Sequence, residues 1–501
     1  MMGKFLYLLS VSILTLLIVL SCQSSGRIKT VQLSAPSDPT ISFRIWFKVG
    51  SQNDPAGKEG LAALTAAMLT QAGTKENGYN QILEKLYPMA ASYYASVDKE
   101  MTVIIGRVHK DNVKKYLRLF TQAILDPAFK KEDFDRIKSS TLNYLEKTLR
   151  YANDEAFGKE VLYQMIFKST PYGHPEAGLI ESVKSISIED VKNFYRRYYT
   201  RNNVVIGIGG GFDKSVIKEI QTSLEKLPGG NPPQVEKLNP EPINGLEITL
   251  VEKNTSSTAI SFGFPIDVHR GEKDYYALWI ANSWFGEHRN SSSHLYQVIR
   301  ERRGLNYGDY SYIECFPNGW ARQFPPPNVA RRQQIFEVWI RPVQNKAAHF
   351  ALRAAIMELQ KLVDNGMSQK DFNLTKKFLK KYYLHYAPTT NMRLGYKLDD
   401  LFYGIKDHLK TLPEMLDRLT LNDVNRAIKK HLQYRNMKIV MITKDAEKLG
   451  EMLVANTPSP MEYDTPKPPE VLEEDKRIEK YPLNIEAKNV KIFKADEMFV
   501  R

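Results

Sequence analysis

Apolar and polar residues alternate in several stretches of this 501-residue chain, and each stretch predicts a short strand. Ile41 to Gly50 (ISFRIWFKVG), Glu100 to Val108 (EMTVIIGRV) and Asn202 to Gly210 (NNVVIGIGG) show the period of two that places successive side chains on opposite faces of a sheet. Long amphipathic helices lie between the last two of these stretches, grouped together rather than one after each strand. This order predicts the α+β class rather than a doubly wound parallel sheet.

The same order of elements occurs a second time, which indicates two related halves. Phe134 and Phe372 occupy equivalent positions 238 residues apart, and Asn202 and Asn436 occupy equivalent positions 234 residues apart. The strand QIFEVWIRPV from Gln334 takes the place of EMTVIIGRV in this second half. We therefore expect two tandem homologous domains.

The domain boundaries follow from changes in composition. A Pro- and Gly-rich stretch at 227–245 is typical of a linker, so the two domains are expected at 27–226 and 246–455. After residue 455 the chain becomes rich in proline and charge, which predicts an extended tail at 456–501 with little core of its own. The end of this tail has the pattern of an added edge strand.

The first 22 residues have the pattern of a lipoprotein signal peptide. Lys4 precedes the apolar run Phe5 to Leu20, and the sequence VLSC ending at Cys22 resembles the lipobox of bacterial lipoproteins. A membrane-spanning anchor is the alternative, because the apolar run is long for a signal peptide. The small Ser21 favours cleavage and lipidation at Cys22. We expect a lipid-anchored protein of the bacterial cell envelope that faces the periplasm.

Composition narrows the choice of partners and compartments. The 70 Lys and Arg residues against 57 Asp and Glu give a net charge of +13, but the basic residues are scattered and form no nucleic-acid-binding motif. We therefore expect no nucleic-acid partner. Cys22 and Cys315 are the two cysteines, and with Cys22 lipidated Cys315 is expected to be a small buried side chain rather than half of a disulfide.

The segment Gly50 to Thr74 has the frame of a zinc-peptidase helix without its ligands. An inverted zinc site needs His-x-x-Glu-His, which places two metal-binding imidazoles one turn apart and a water-polarising Glu between them. This chain has Ala63, Ala66 and Ala67 at those positions. Because a methyl group has no lone pair, this helix is not expected to bind a metal.

Three segments resemble the M16 family of insulinase and mitochondrial processing peptidase, in its two-domain bacterial form. They are GSQNDPAGKEGLAALTAAML from Gly50, YGHPEAG from Tyr172 and SSSHLYQVIRERRGLNYGDYSY from Ser291, with Asp54 in a position where the family usually has Glu. The resemblance covers roughly 41–455. It implies two α/β-sandwich domains of the type also called LuxS/MPP-like metallohydrolase.

The resemblance also identifies candidate site residues. Active members take a third zinc ligand from a downstream helix, and that position corresponds to Glu146, a vestigial candidate because one carboxylate cannot hold zinc tightly. Active members also use an Arg and a Tyr from the second domain to hydrogen-bond the substrate backbone near the scissile carbonyl. Arg300 and Tyr307 match that pair.

Residue patterns around this pair predict its local structure and leave a simpler alternative. The segment from Ser291 is expected to be a helix that starts at a serine cap within Ser291 to Ser293 and ends at Gly304. An Arg on the last turn and a Tyr just beyond it can face the same side and donate to a developing oxyanion. Alternatively, Arg300 belongs to a solvated charge run and Tyr307 to ordinary packing.

Three functional hypotheses follow. The leading one is a non-catalytic, substrate-orienting subunit of a heterodimeric M16-type zinc peptidase that degrades peptides, active only with a partner subunit that carries His-x-x-Glu-His and the zinc. The second is a peptidase-fold scaffold or binding protein. The third is a single-chain hydrolase that uses a metal at the polar cluster Glu287, His288 and His294.

Overall fold

The computed structural model describes residues 28–230, 238–316 and 324–501. The expected signal peptide and Cys22 lie outside these residues, as do the middle of the linker and residues 317–323. Within the described residues, no helix is both long and apolar enough to span a bilayer.

The first half builds a five-stranded mixed sheet. Its strands run in the order β1-β5-β2-β4-β3, with β1 parallel to β5 and all other neighbours antiparallel. They are β1 (Thr30–Ser34), β2 (Thr40–Phe47), β3 (Ser92–Val97), β4 (Thr102–His109) and β5 (Val204–Gly210). Strand β3 therefore forms one edge of this sheet.

Eight α-helices accompany these strands in the described part of the first half. They are α1 (Leu61–Thr70), α2 (Tyr79–Leu86), α3 (Val113–Leu125), α4 (Lys131–Asn143), α5 (Asp154–Phe167), α6 (Ile180–Ser185), α7 (Ile188–Tyr198) and α8 (Lys214–Leu224). A π-helical segment, Tyr144–Ala152, continues α4.

The second half repeats this plan with one added strand. Its sheet has the order β11-β6-β10-β7-β9-β8, with β11 and β10 both parallel to β6. The strands are β6 (Leu246–Glu252), β7 (Ser257–Ile266), β8 (Asp309–Tyr312), β9 (Gln334–Gln344), β10 (Met437–Thr443) and β11 (Val490–Lys494).

The helices of the second half match the repeat seen in the sequence. They are α9 (Lys273–Gly286), α10 (Ala348–Asn365), α11 (Gln369–Tyr382), α12 (Thr390–Tyr403), α13 (His408–Arg418), α14 (Leu421–His431), α15 (Ala446–Val454) and α16 (Pro469–Ile478). A second π-helical segment, Tyr296–Glu301, precedes β8. Two tandem α+β units are therefore present, as the repeat predicted.

Each half contributes one helix to the other half's sheet. Helix α5 packs on β7 and β10 of the second sheet, and a Cβ at Gly158 would lie 3.4 Å from Ile442 Cγ1. Helix α12 packs on β1, β2 and β5 of the first sheet, and a Cβ at Gly209 would lie 3.4 Å from Leu394 Cδ2. Both glycines let a helix and a sheet approach closely. This exchange gives the two halves a shared core.

The tail is more structured than the composition suggested. The segment 456–501, expected to be extended, contains helix α16, and its strand β11 completes the second sheet. Its last residues return to the first half, where Met498 and Phe499 are buried among core side chains. The Ile180 amide donates to Phe499 O at 2.9 Å, which fixes the end of the chain beside α6.

Candidate functional site

The helix that would carry a zinc motif begins at a half-buried carboxylate. Asp54 accepts hydrogen bonds from the amides of Gly60 and Ala62, both at 2.7 Å, and so caps the start of α1. Burial raises the pKa of the Asp54 carboxyl to about 8, although these two amide donors act in the opposite direction. The helix is thus held firmly at the end where an active enzyme would bind its metal.

The degenerate positions lie on one face of this helix. Ala63 and Ala67, one turn apart, are half-buried, and Ala66 is buried. The candidate third ligand, Glu146, lies in the π-helical segment Tyr144–Ala152 and is 37% exposed, with Lys184 Nζ 3.7 Å from its carboxylate. This contact is what a surface glutamate makes. Across the described residues, no group of three or more His, Cys, Asp or Glu side chains is arranged to hold a metal.

The polar cluster behind the third hypothesis is divided between separate partners. His288 is buried among Tyr310, Tyr312 and Phe316, and its Nδ1 pairs with the Tyr312 hydroxyl. His294 Nε2 instead contacts Glu358 Oε2 at 2.6 Å, and its ring stacks on Trp284. The arrangement therefore does not bring these imidazoles together as metal ligands.

Arg300 lies on the π-helical segment Tyr296–Glu301, near its end. Its Nη1 donates to Glu301 Oε2 at 3.0 Å, and its guanidinium carbon lies 5.6 Å from the centroid of the Tyr296 ring. The side chain is 37% exposed. An ion pair with an adjacent, exposed carboxylate is weak and easily exchanged for another acceptor. Arg300 is therefore accessible to a ligand.

The helix that carries Arg300 starts and ends where predicted, but its serine makes no side-chain cap. Gly304 has φ +71°, and its amide donates to Arg300 O at 2.7 Å, so the helix closes at a left-handed glycine. The serine expected before the first turn is in place, since the helix begins at His294, but the buried Ser293 Oγ has no hydrogen-bond partner in the described chain. The first turn is closed by a backbone bond from the Gln297 amide to Ser293 O.

Tyr307 lies on a fixed turn and points into solvent. Tyr307 is 78% exposed. The preceding residue, Asn306, is buried and donates through Nδ2 to Asp309 Oδ1 at 2.7 Å and to Arg341 O at 3.0 Å. On the other side, Gly308 has φ +155°, and a Cβ there would lie 2.2 Å from the Tyr310 hydroxyl. The turn is thus held on both sides of an aromatic side chain that packs little against the protein.

Between the members of this pair lies a buried arginine that was not among the residues predicted from the sequence. Arg303 is the last arginine of the run RERR, and its side chain is completely buried, whereas Arg302 is 52% exposed. Helical spacing was the available signal, since Arg303 follows the buried Ile299 by one turn.

Two tandem α+β units, with alanines at the zinc-ligand positions of α1, define the class of protein. One family model, described as insulinase (peptidase family M16), matches residues 29–178, and another, described as peptidase M16 inactive domain, matches residues 185–379. The chain belongs to the M16 peptidase family. Because its His-x-x-Glu-His positions hold alanines, it is an inactive-type homologue within that family.

Related proteins carry both peptidase and non-peptidase descriptions. A Helicobacter pylori protein described as non-peptidase homolog YmxG is 21% identical over 418 residues, which cover 81% of this chain and 89% of that protein. An uncharacterized zinc protease of Streptomyces coelicolor is 23% identical over 297 residues, 58% of this chain. That match spans 63% of the relative, less than two thirds of its length.

Solved structures share the fold. A peptidase M16 inactive domain from Pseudomonas fluorescens has a TM-score of 0.73 at 24% identity and covers 84% of this chain and 96% of that one. A chain of complex III2 from Candida albicans has a TM-score of 0.65 at 18% identity, with 82% of this chain and 93% of that one covered. These likenesses show the common architecture.

Proposed function

We propose that this chain is the substrate-orienting subunit of a two-chain M16 peptidase. The observation that carries the proposal is Tyr307, an aromatic side chain held in solvent by a rigid turn close in sequence to an accessible Arg300. Because the Tyr307 side chain contributes little to the core and its turn is fixed, its hydroxyl is free to meet a second molecule.

The chemistry divides between two chains. The partner subunit supplies zinc and the glutamate that polarises the attacking water, since α1 of this chain has methyl groups in those positions. Arg300 and Tyr307 supply the guanidinium and hydroxyl donors that hold the substrate carbonyl and stabilise the oxyanion that develops on it. Such donors act without being consumed, so they can lie on a chain that does not bind the metal.

The first sheet offers a place for an extended peptide. Strand β3 is an edge strand, packs beside α1 and exposes Tyr94, which is 53% accessible. An unfolded peptide can add to such an edge through backbone hydrogen bonds. We propose peptides as substrates, and a lipid anchor at Cys22 that keeps the assembly at the bacterial envelope surface, facing the periplasm.

The test is reconstitution with a zinc-bearing partner. The chain is purified from its native membrane together with any M16 chain that carries His-x-x-Glu-His, and cleavage of a library of unfolded peptides is measured. We expect Arg300→Ala to lower kcat about a hundredfold, the typical cost of losing one oxyanion donor, and Tyr307→Phe to lower it about tenfold or more. The zinc content of the partner should not change.

Two matched variants control for general surface effects. Arg289→Ala removes an exposed arginine that precedes the same helix, and Tyr151→Phe removes the hydroxyl of another exposed tyrosine. Both should retain full activity. If the Arg300→Ala and Tyr307→Phe variants cleave peptides at the wild-type rate, the orienting role is rejected. Absence of a zinc-bearing companion and of any cleavage would favour the scaffold hypothesis.

A further inference from the structure

A buried arginine joins the substrate-facing helix to a distant part of the chain. The Arg303 side chain is 0% exposed and uses three donors. Nε donates to Asp475 Oδ1 at 2.8 Å, Nη2 to Glu474 Oε2 at 3.0 Å and Nη1 to Val298 O at 2.7 Å. Both carboxylates belong to α16, in the segment that follows the second repeat.

That segment, residues 456–479, is here called the C-terminal strap. A second fully buried arginine, Arg353 of α10, fixes both of its ends. Its guanidinium donates to Thr457 O and Ser459 Oγ, each at 2.9 Å, and also to Glu479 O. The Ser459 amide donates to Glu479 O at 3.0 Å and closes the strap into a loop. Its position on the second half is therefore defined by α10.

The carboxylates that meet Arg303 are themselves held in place. Asp475 Oδ2 accepts a hydrogen bond from the Tyr463 hydroxyl at 2.7 Å, and Glu474 Oε1 contacts Lys361 Nζ of α10 at 3.3 Å. In each of these two carboxylates, one oxygen thus contacts Arg303 and the second oxygen contacts a different side chain. Arg303 enters a preformed acidic pocket rather than a flexible surface.

Arg303 follows Arg300 by three residues and precedes Tyr307 by four. The Gly304 amide bonds to Arg300 O, and the Leu305 amide bonds to Ile299 O at 3.3 Å, so the backbone that follows Arg303 is tied to the last turn of the helix. We propose that Arg303 is a positioning residue and that the strap, through Asp475 and Glu474, sets where Arg300 and Tyr307 present their donors.

This role rests on the proposed function for its catalytic consequence, but its structural part can be tested alone. The full-length protein carrying Glu474→Gln and Asp475→Asn is compared with Glu473→Gln, which alters an exposed neighbour on the same helix. Hydrogen–deuterium exchange is followed in peptides from 298–308. We expect about tenfold faster exchange there in the double variant, with α9 unchanged and the Glu473→Gln protein like wild type.

Two results would overturn the positioning role. One is wild-type exchange at 298–308 in the double variant. The other is uniform acceleration through the second half, which would indicate general support of the fold. Arg303→Lys gives a milder check, because it keeps the charge and loses the planar fork, and its effect should fall between those of wild type and the double variant.

Kinetics of the reconstituted peptidase then test the catalytic consequence. The double variant should lower kcat with little change in KM, and combining it with Tyr307→Phe should add no further loss, because both changes disable the same element. If Tyr307→Phe lowers kcat but the double variant has the wild-type kcat, the role of the strap in catalysis is rejected. If Tyr307→Phe and Arg300→Ala do not change kcat, the proposed function fails. The hydrogen–deuterium exchange experiment still decides whether the strap positions the segment around Arg303.

Discussion

Arg331 of the second half and Asp98 of the first form a buried two-point ion pair, with Nε to Oδ1 at 2.6 Å and Nη2 to Oδ2 at 2.9 Å. Both side chains are about 95% buried. Arg331 also contacts Glu176 at 3.2 Å, and Glu176 contacts Lys99 Nζ at 3.0 Å. The tip of the β3–β4 hairpin is thereby fixed to the other half of the molecule.

Removing one partner of this junction should be costly. Arg331→Ala would leave the buried Asp98 carboxylate without its arginine, and we expect a loss of about 3–5 kcal/mol in the free energy of unfolding. Urea denaturation at pH 7 measures it. Arg435→Ala, which alters an exposed arginine, should change stability by less than about 0.5 kcal/mol. Equal effects of the two variants would contradict the importance of the junction.

Glu287 should make stability depend on pH. Burial raises the pKa of this carboxyl from 4.5 to about 7 in the folded state. Between these two pH values the folded protein therefore binds more protons than the unfolded chain. The contribution of Glu287 to stability is full below pH 4.5 and falls as the pH rises toward 7.

The matched variant is Glu287→Gln, which has the same shape and does not titrate. We expect the stability of wild type relative to Glu287→Gln to fall by up to about 3 kcal/mol between pH 4.5 and pH 8. Chemical denaturation of both proteins across this range measures the difference, in which the contributions of other groups cancel. A flat difference would show that the Glu287 pKa is not raised.

Chelation should separate this chain from its proposed partner. Because Ala63, Ala66 and Ala67 offer no ligand atoms, the isolated chain should contain no stoichiometric zinc, and EDTA should leave its melting temperature unchanged. The reconstituted peptidase should lose activity under the same treatment. Elemental analysis and thermal melts measure both. Tightly bound zinc in the isolated chain would contradict the prediction.

The end of the chain should contribute to the stability of the first half. Phe499 is 1% exposed, and its ring meets that of Phe157 edge-on at 5.9 Å. Phe499→Ala should therefore cost about 3–5 kcal/mol. Ile492→Ala on β11, where the side chain is 40% exposed, is the control and should cost much less. Similar unfolding midpoints for the two variants would show that the terminus is only loosely docked.

Local patterns in the sequence predicted much of the fold. The alternation in ISFRIWFKVG and QIFEVWIRPV located β2 and β9 closely, and the repeat correctly indicated two α+β units. These features depend on neighbouring residues and on periodicity, which one sequence contains. The resemblance to the family identified Ala63, Ala66 and Ala67 as the positions that hold His-x-x-Glu-His in active members.

Long-range packing could not be predicted in the same way. Arg303 and Asp475 are 172 residues apart and Asp98 and Arg331 are 233 apart, and nothing in their local patterns pairs them. Composition suggested an extended tail, whereas α16 is a helix stabilised by burial of Val471 and Ile478. The position of Tyr307 likewise depends on the hydrogen bond from Asn306 to Arg341 O on the neighbouring strand β9.

The exchange of α5 and α12 bears on whether either repeat can fold alone. A fragment that ends in the linker would lack α12, which covers the first sheet, and would expose the apolar face of α5. We therefore expect that neither repeat folds when it is expressed alone. The two repeats therefore form a single folding unit rather than two independent domains.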